Sequence, residues 1–325
     1  MNILKIADSS YLNYLKNLQN MSPDRVSEYL ETIKKFFNFN TIIEESVDEN
    51  TTVKYYEQSE YGYRVYHSGQ GYIHMAINYD GVFNSDGYYE QARIVNRQIQ
   101  EIQAVKVLEL GCGKGVNSIF LANQNPNVNF RGIDLTPLHI SYAQKKSKDL
   151  KNVHFSLGNF QNLNFISEQS FNLIFEVESI CHATNMKLML DEAYRVLKPG
   201  GRLIVIDGFR ENHFSQHSSE LQTAAVLVEK CMGVAKNFLE IDEWLEIAKA
   251  SKFKILSVEN LSDAVMPTML KLQNLAQRYF KKSLRARFLK LVMPPYLVRN
   301  SVAGLLMPET IAAKVHGYYV IILER

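Results

Sequence analysis

An α/β fold, built on a parallel sheet with helices on both faces, is predicted by three features of the chain. Between residues 105 and 207, runs rich in β-branched and apolar residues alternate with segments of helical periodicity across short turns. The first run, residues 105–110, ends in a glycine-rich turn, Gly111-Cys112-Gly113-Lys114-Gly115, that opens a helix. The chain has 325 residues, 46% of them hydrophobic, enough for one large domain with insertions or for two smaller units.

Taken in order, Leu12, Leu15 and Leu18 recur at helical spacing, and Ser22-Pro23-Asp24 sets a capping side chain ahead of a proline in a first turn. The helix that follows presents Val26, Tyr29, Leu30, Ile33 and Phe36 on one face. Residues 50–90 are rich in tyrosine and glycine, too aromatic for an ordinary linker, which predicts that they pack over something. A helix over about 88–102 leads into the strand at 105–110. Helix 115–124, strand 128–133, helix 137–149 and strands 153–157 and 171–176 follow, then helix 185–196 and strand 202–207. A helical stretch near 217–250 and a strand at 253–260 come next. A helical insertion separates these from a last strand at 318–323.

Thirty-six Lys and Arg against 34 Asp and Glu leave a net charge of +2, which excludes a global nucleic-acid-binding charge. The balance hides a concentration. Between residues 264 and 308 there is no acid but eight cations, Lys271, Arg278, Lys281, Lys282, Arg285, Arg287, Lys290 and Arg299, interleaved with apolar residues. Cys112, Cys181 and Cys231 lie far apart without a CxxC, so neither a disulfide framework nor a zinc cluster is expected. No HExxH pattern points to another metal. The opening segment carries an aspartate where a signal peptide needs apolar residues, and no apolar run reaches ~18 residues. A cytoplasmic protein is the expectation, with peripheral membrane contact and homo-oligomerisation left open.

Glycines in the turn let the backbone approach a ligand closely, and Asp134, at the end of the next strand, is placed to accept both hydroxyls of a ribose. A dinucleotide site wants G-x-G-x-x-G, whereas position 116 here is valine. Glu109, just before the turn, would repel a diphosphate and attract an ammonium or sulfonium. The residues therefore favour a cofactor made of adenosine and an amino acid over a nicotinamide dinucleotide.

At this point the chain resembles the class I S-adenosylmethionine-dependent methyltransferases. ELGCGKG at 109–115 is similar to their first motif, GIDLTP at 132–137 to the ribose-binding segment and GNFQNLNF at 158–165 to the stretch facing adenine. FNLIFEVESICHA at 171–183 and RVLKPGGRLIVID at 195–207 resemble the two later motifs. The resemblance implies a Rossmann-like sheet and S-adenosyl-L-methionine as cofactor. It implies contacts from Tyr55, Glu109, Gly111, Gly113, Gly115, Asp134, Leu135, Asn159, Phe160 and Glu176. The implied organisation is an N-terminal helical and aromatic cap (1–98), a cofactor-binding core (99–261), a basic helical insertion or lid (262–313) and a final core strand (314–325).

Glu176, Glu178 and His182 follow the fourth strand, at the sheet edge where open α/β folds place their chemistry. If the extended geometry persists, Glu176 and Glu178 share one side. FEVESICHATN resembles the corresponding segment of sterol C24-methyltransferases and of tocopherol and prenyl diphosphate C-methyltransferases, and VKYYEQSEYGY resembles the aromatic region of the sterol enzymes. The resemblance implies methyl transfer to an alkene carbon of an isoprenoid-like or other lipid acceptor. The alkene π pair attacks the sulfonium methyl, the sulfur leaves as a thioether, and the resulting cation gives up a proton. Glu178 would stabilise the cation or take that proton, Tyr56, Tyr61 and His74 would close the site and orient donor and acceptor, and His182 would donate a hydrogen bond inside the pocket. O- or N-methylation of a small aromatic or amine compound is the alternative. A non-catalytic cofactor-binding scaffold is a third. The acid-free insertion could meet an anionic membrane, hold a prenyl diphosphate or form a solvated surface.

Overall fold

The computed structural model describes residues 23–325; the helix expected around Leu12, Leu15 and Leu18, and the cap at Ser22, lie outside them. Helices α1 (Pro23–Lys34), α2 (Phe39–Ile43), α3 (Glu49–Gly62) and α4 (Glu90–Glu101) precede the sheet. The core alternates β1 (Lys106–Leu110), α5 (Val116–Gln124), β2 (Asn129–Asp134), α6 (Pro137–Lys146), β3 (Val153–Leu157), β4 (Phe171–Val177), α7 (Met186–Val196) and β5 (Leu197–Arg210). Then come α8 (Ser219–Cys231), α9 (Ile241–Ala250), β6 (Lys254–Asn260), α10 (Ser262–Lys281), α11 (Ser283–Val292), α12 (Pro295–Ala312) and β7 (His316–Glu324).

The strands form one seven-stranded sheet in the order β3-β2-β1-β4-β5-β7-β6. Period-two alternation divides its side chains between two cores. Val107, Phe175, Ile204 and Val320 face one. Leu108, Leu110, Ile174 and Ile321 face the other. The strand order reverses between β1 and β4, and the crevice beyond their C-terminal ends is where such a sheet receives a ligand.

Strands β1 to β5 pair in parallel, as expected, and the sheet is completed by β7, which runs antiparallel to both β5 and β6, with His316 opposite Arg210. The insertion α10–α12 therefore leaves β6 and re-enters β7 at the same edge, which is the edge carrying the crevice. One expectation is corrected: the first half of the tyrosine-rich stretch is helical, for Asp48 caps α3 by accepting from Thr51 N–H at 2.8 Å, and a π-helical turn, Tyr63–His67, continues it. Its aromatic content masks the helical period, because its partners are side chains distant in sequence.

Candidate active site

The turn after β1 is built from left-handed glycines, with φ of 62° at Gly111, 49° at Gly113 and 72° at Gly115. At Gly111 a Cβ would strike the side chain of Ser179, so no larger residue fits the close approach of β1 to the exit of β4. Asp134 accepts from Gly113 N–H and Thr136 N–H, each at 2.8 Å, one on each oxygen. Burial pushes its carboxyl up, but His139 and these two N–H groups outweigh burial and hold it below the usual value. His139 Nδ1 also lies 3.6 Å from Oδ1, so the lone pair left open is on Oδ2, where a ribose hydroxyl can donate. The ring of Tyr56 lies 5.3 Å from that of His139, close to this carboxylate. Adenosine with a sulfonium beside an aromatic face fits this donor set.

Helix α3 lies over the turn and is fastened at three points. Glu49 accepts from Asn159 Nδ2 at 2.6 Å, Tyr56 Oη meets His182 Nε2 at 2.8 Å, and Lys114 Nζ reaches Glu60 at 2.8 Å. Lys114 and both glutamates escape notice in the sequence because each has meaning only across the cap–core contact. His182 Nδ1 lies 2.8 Å from the carbonyl of Gly233, which can only accept. The proton therefore sits on Nδ1, and Nε2 of the neutral ring accepts from the Tyr56 hydroxyl. Burial favours that neutral form by lowering the histidine's pKa.

Beside the turn, a cavity of about 520 Å³ opens under the insertion. Tyr55, Tyr56 and Tyr63 wall it from the cap, and Met269, Leu272 and Met307 from the insertion. Glu178 and Asp207 supply its carboxyls. β4 stops at Val177, and Glu178 adopts φ of 50°, a left-handed conformation costly outside glycine. That turn separates the two glutamates. Glu178 reaches the cavity, its Oε1 accepting from Met75 N–H at 2.7 Å and from Tyr318 Oη at 2.9 Å. Burial drives its pKa up to about 8, with Asp207 adding to the rise and the two donors opposing it. Asp207 is pushed up to about 7, again chiefly by burial.

Other assigned residues lie elsewhere. Glu176 is fully buried, and its oxygens accept from the backbone of Ser179, Ile180 and Ile206, so it pins the β4 exit rather than facing a cofactor. Glu109 is turned into the start of α5, accepting from Asn117 and Ser118, and burial raises it to about 7. Phe160 belongs to the core under the sheet, and Leu135 is half-buried just past Asp134. Tyr55 packs in the cavity wall, its hydroxyl 2.8 Å from that of Tyr63. His74 is buried between Tyr72 and Tyr88 with Nε2 3.1 Å from the Tyr88 carbonyl; its neighbours Ile73 and Met75 line the cavity instead. Tyr61 is 47% exposed, against Tyr66. Tyr318 and Asp207, which sequence reasoning missed, become visible once β7 is set against β5, since Tyr318 pairs with Gly208. Among the described residues no group of histidine, cysteine and acidic side chains is arranged to hold a metal.

Residues 102–262 match the family model of a methyltransferase domain. The chain is 28% identical over 160 residues to a sterol 24-C-methyltransferase of Saccharomyces cerevisiae, a match covering 48% of this chain and 41% of that protein. It thus spans less than half of that relative's length. Among solved structures it is similar to the 4+2 cyclase SpnF, with a TM-score of 0.68 and 19% identity over 86% of this chain and 97% of that one. It is also similar to a geranyl diphosphate C-methyltransferase from Streptomyces coelicolor, with a TM-score of 0.56 and 14% identity over 84% and 98%. These likenesses establish the Rossmann-like α/β fold, and the cyclase shows that the fold alone does not fix the reaction. Residues 102–262, which hold the glycine turn and Asp134, thus form a methyltransferase domain on a Rossmann-like α/β fold, with S-adenosylmethionine as its cofactor.

Proposed function

We propose that the protein methylates an alkene carbon of an apolar, isoprenoid-like acceptor. The observation that carries this reading is Glu178: a carboxyl aimed into a largely apolar, tyrosine-walled cavity and held there by a backbone N–H and a tyrosine hydroxyl. When bound, S-adenosylmethionine supplies a methyl group on a sulfonium. Gly111, Gly113, Asp134 and Tyr56 are the residues placed to hold it. A cavity of about 520 Å³ lies within the ordinary range for small-molecule sites. Its tyrosine faces favour a cation without reacting with it. Glu178 Oε2, which makes neither of the two holding bonds, is free to accept the proton that restores a neutral product. Positive charge in the cavity lowers the carboxyl's pKa, so the group ionises as the site fills. The sterol 24-C-methyltransferase and the geranyl diphosphate C-methyltransferase to which the chain is similar support transfer to carbon of an isoprenoid-like acceptor.

One observation favours a second reading. Glu178 and Asp207 have values near 8 and 7, suited to removing a proton from a hydroxyl or an ammonium, so O- or N-methylation is the competing chemistry. Incubation with methyl-labelled S-adenosylmethionine and sterols, quinones, prenyl diphosphates or small amines separates the two. A carbon-methylated product is expected, and label on oxygen or nitrogen alone would replace the first reading by the second.

A further inference from the structure

Helix α11 turns its apolar residues outward. Leu284 is 82% exposed, Phe288 62%, Leu291 84% and Val292 58%, whereas Ala286 is its buried residue. At about 100° per residue these four fall within one arc of roughly 100°. Arg287 lies just beyond one margin of the arc and Arg285 beyond the other. Lys281, the last residue of α10, and Lys282, both exposed, immediately precede the helix. A contiguous apolar stripe of this kind marks a contact surface rather than an ordinary solvated face. The cavity opens beside it: Arg285, Leu289 and Met293 belong to its lining, as does Tyr66 of the cap, itself 48% exposed.

We propose that this face docks the protein on an anionic lipid bilayer, with the cavity mouth at the membrane surface. The helix would lie in the plane of the headgroups, its apolar arc reaching the acyl boundary and its flanking cations meeting lipid phosphates. Charge selects this occupant over a second copy. An isologous pair would bring Arg285 and Arg287 of both chains together on one patch, and residues 264–308 contain no acid to compensate. No described helix is long and apolar enough to cross a membrane, so the contact is peripheral. The docking surface stands independently of which acceptor the cavity takes.

The test is co-sedimentation of the full chain with phosphatidylcholine vesicles, with and without phosphatidylserine. Binding is expected to the serine-containing vesicles only and to fall at high salt. The Leu284→Ser, Phe288→Ser, Leu291→Ser triple variant should bind at least tenfold less with an unchanged melting temperature, since these side chains are exposed in the free protein. Arg287→Glu with Lys281→Glu should do the same through charge. Absence of binding by the wild type, equal binding to both vesicles, or undiminished binding by the triple variant would overturn the proposal. So would a wild-type dimer in size-exclusion chromatography that the triple variant converts to monomer, which would make the stripe an interface between copies.

Discussion

A carboxyl with a value near 8 inside the folded chain, against an ordinary 4.5, makes Glu178 a titration point for both activity and stability. Between those two values the folded protein keeps a proton that the unfolded chain releases. Stability is therefore greatest at the acidic end of this window and falls as pH rises through about 8. Asp207, raised from 3.8 to about 7, adds a loss of the same sign. Glu178→Gln should raise the denaturant midpoint at the alkaline end and flatten its pH dependence. The same variant should keep cofactor affinity while turnover drops by about 10²-fold or more. Unchanged turnover would make Glu178 a structural residue. Tyr318 acts through it as a positioning residue. Removing its hydroxyl in Tyr318→Phe takes away a bond to the charged form, so the rising limb of the rate profile should move to higher pH, with activity down about tenfold. A purely packing role would leave that limb in place.

The turn from β1 into α5 is the element most fully written in the sequence. Its three glycines are each at positive φ, and their spacing announces the turn before any packing is known. Gly111→Ala combines a left-handed alanine with a collision against Ser179, so a loss of about 2 kcal/mol or more in chemical denaturation is expected, together with loss of cofactor binding. Helix α3 was not legible in the same way. Its apolar and aromatic residues follow no clean helical period, because they answer to Tyr296 and Gly233 on distant elements rather than to one flat face. Asp48 was the available local signal, a capping residue with Thr51 in reach. Glu176 and Glu178 show the opposite failure: alternation put them together, and a single left-handed residue parted them.

Across the whole molecule, the cap, the core and the insertion meet at one sheet edge. Glu49 and Glu60 tie α3 to Asn159 and Lys114, so a cofactor held at the turn is bordered by both cap and core. Adding S-adenosylmethionine at about 100 times its Kd should stabilise the protein by about 2.7 kcal/mol. Amide exchange should slow in residues 49–78 as well as in the turn; slowing confined to the turn would separate the cap from the cofactor. The alternation of β1 to β5, the glycine turn, Asp134 and the basic, acid-free insertion are legible in local pattern alone, because periodicity, backbone freedom and local charge are properties of neighbouring residues. That β7 runs backwards, that Tyr318 therefore meets Glu178 and that the insertion returns over the cavity emerge only from the assembled fold. Those facts depend on which strands pair and in which direction, and burial of distant side chains settles that rather than any local pattern.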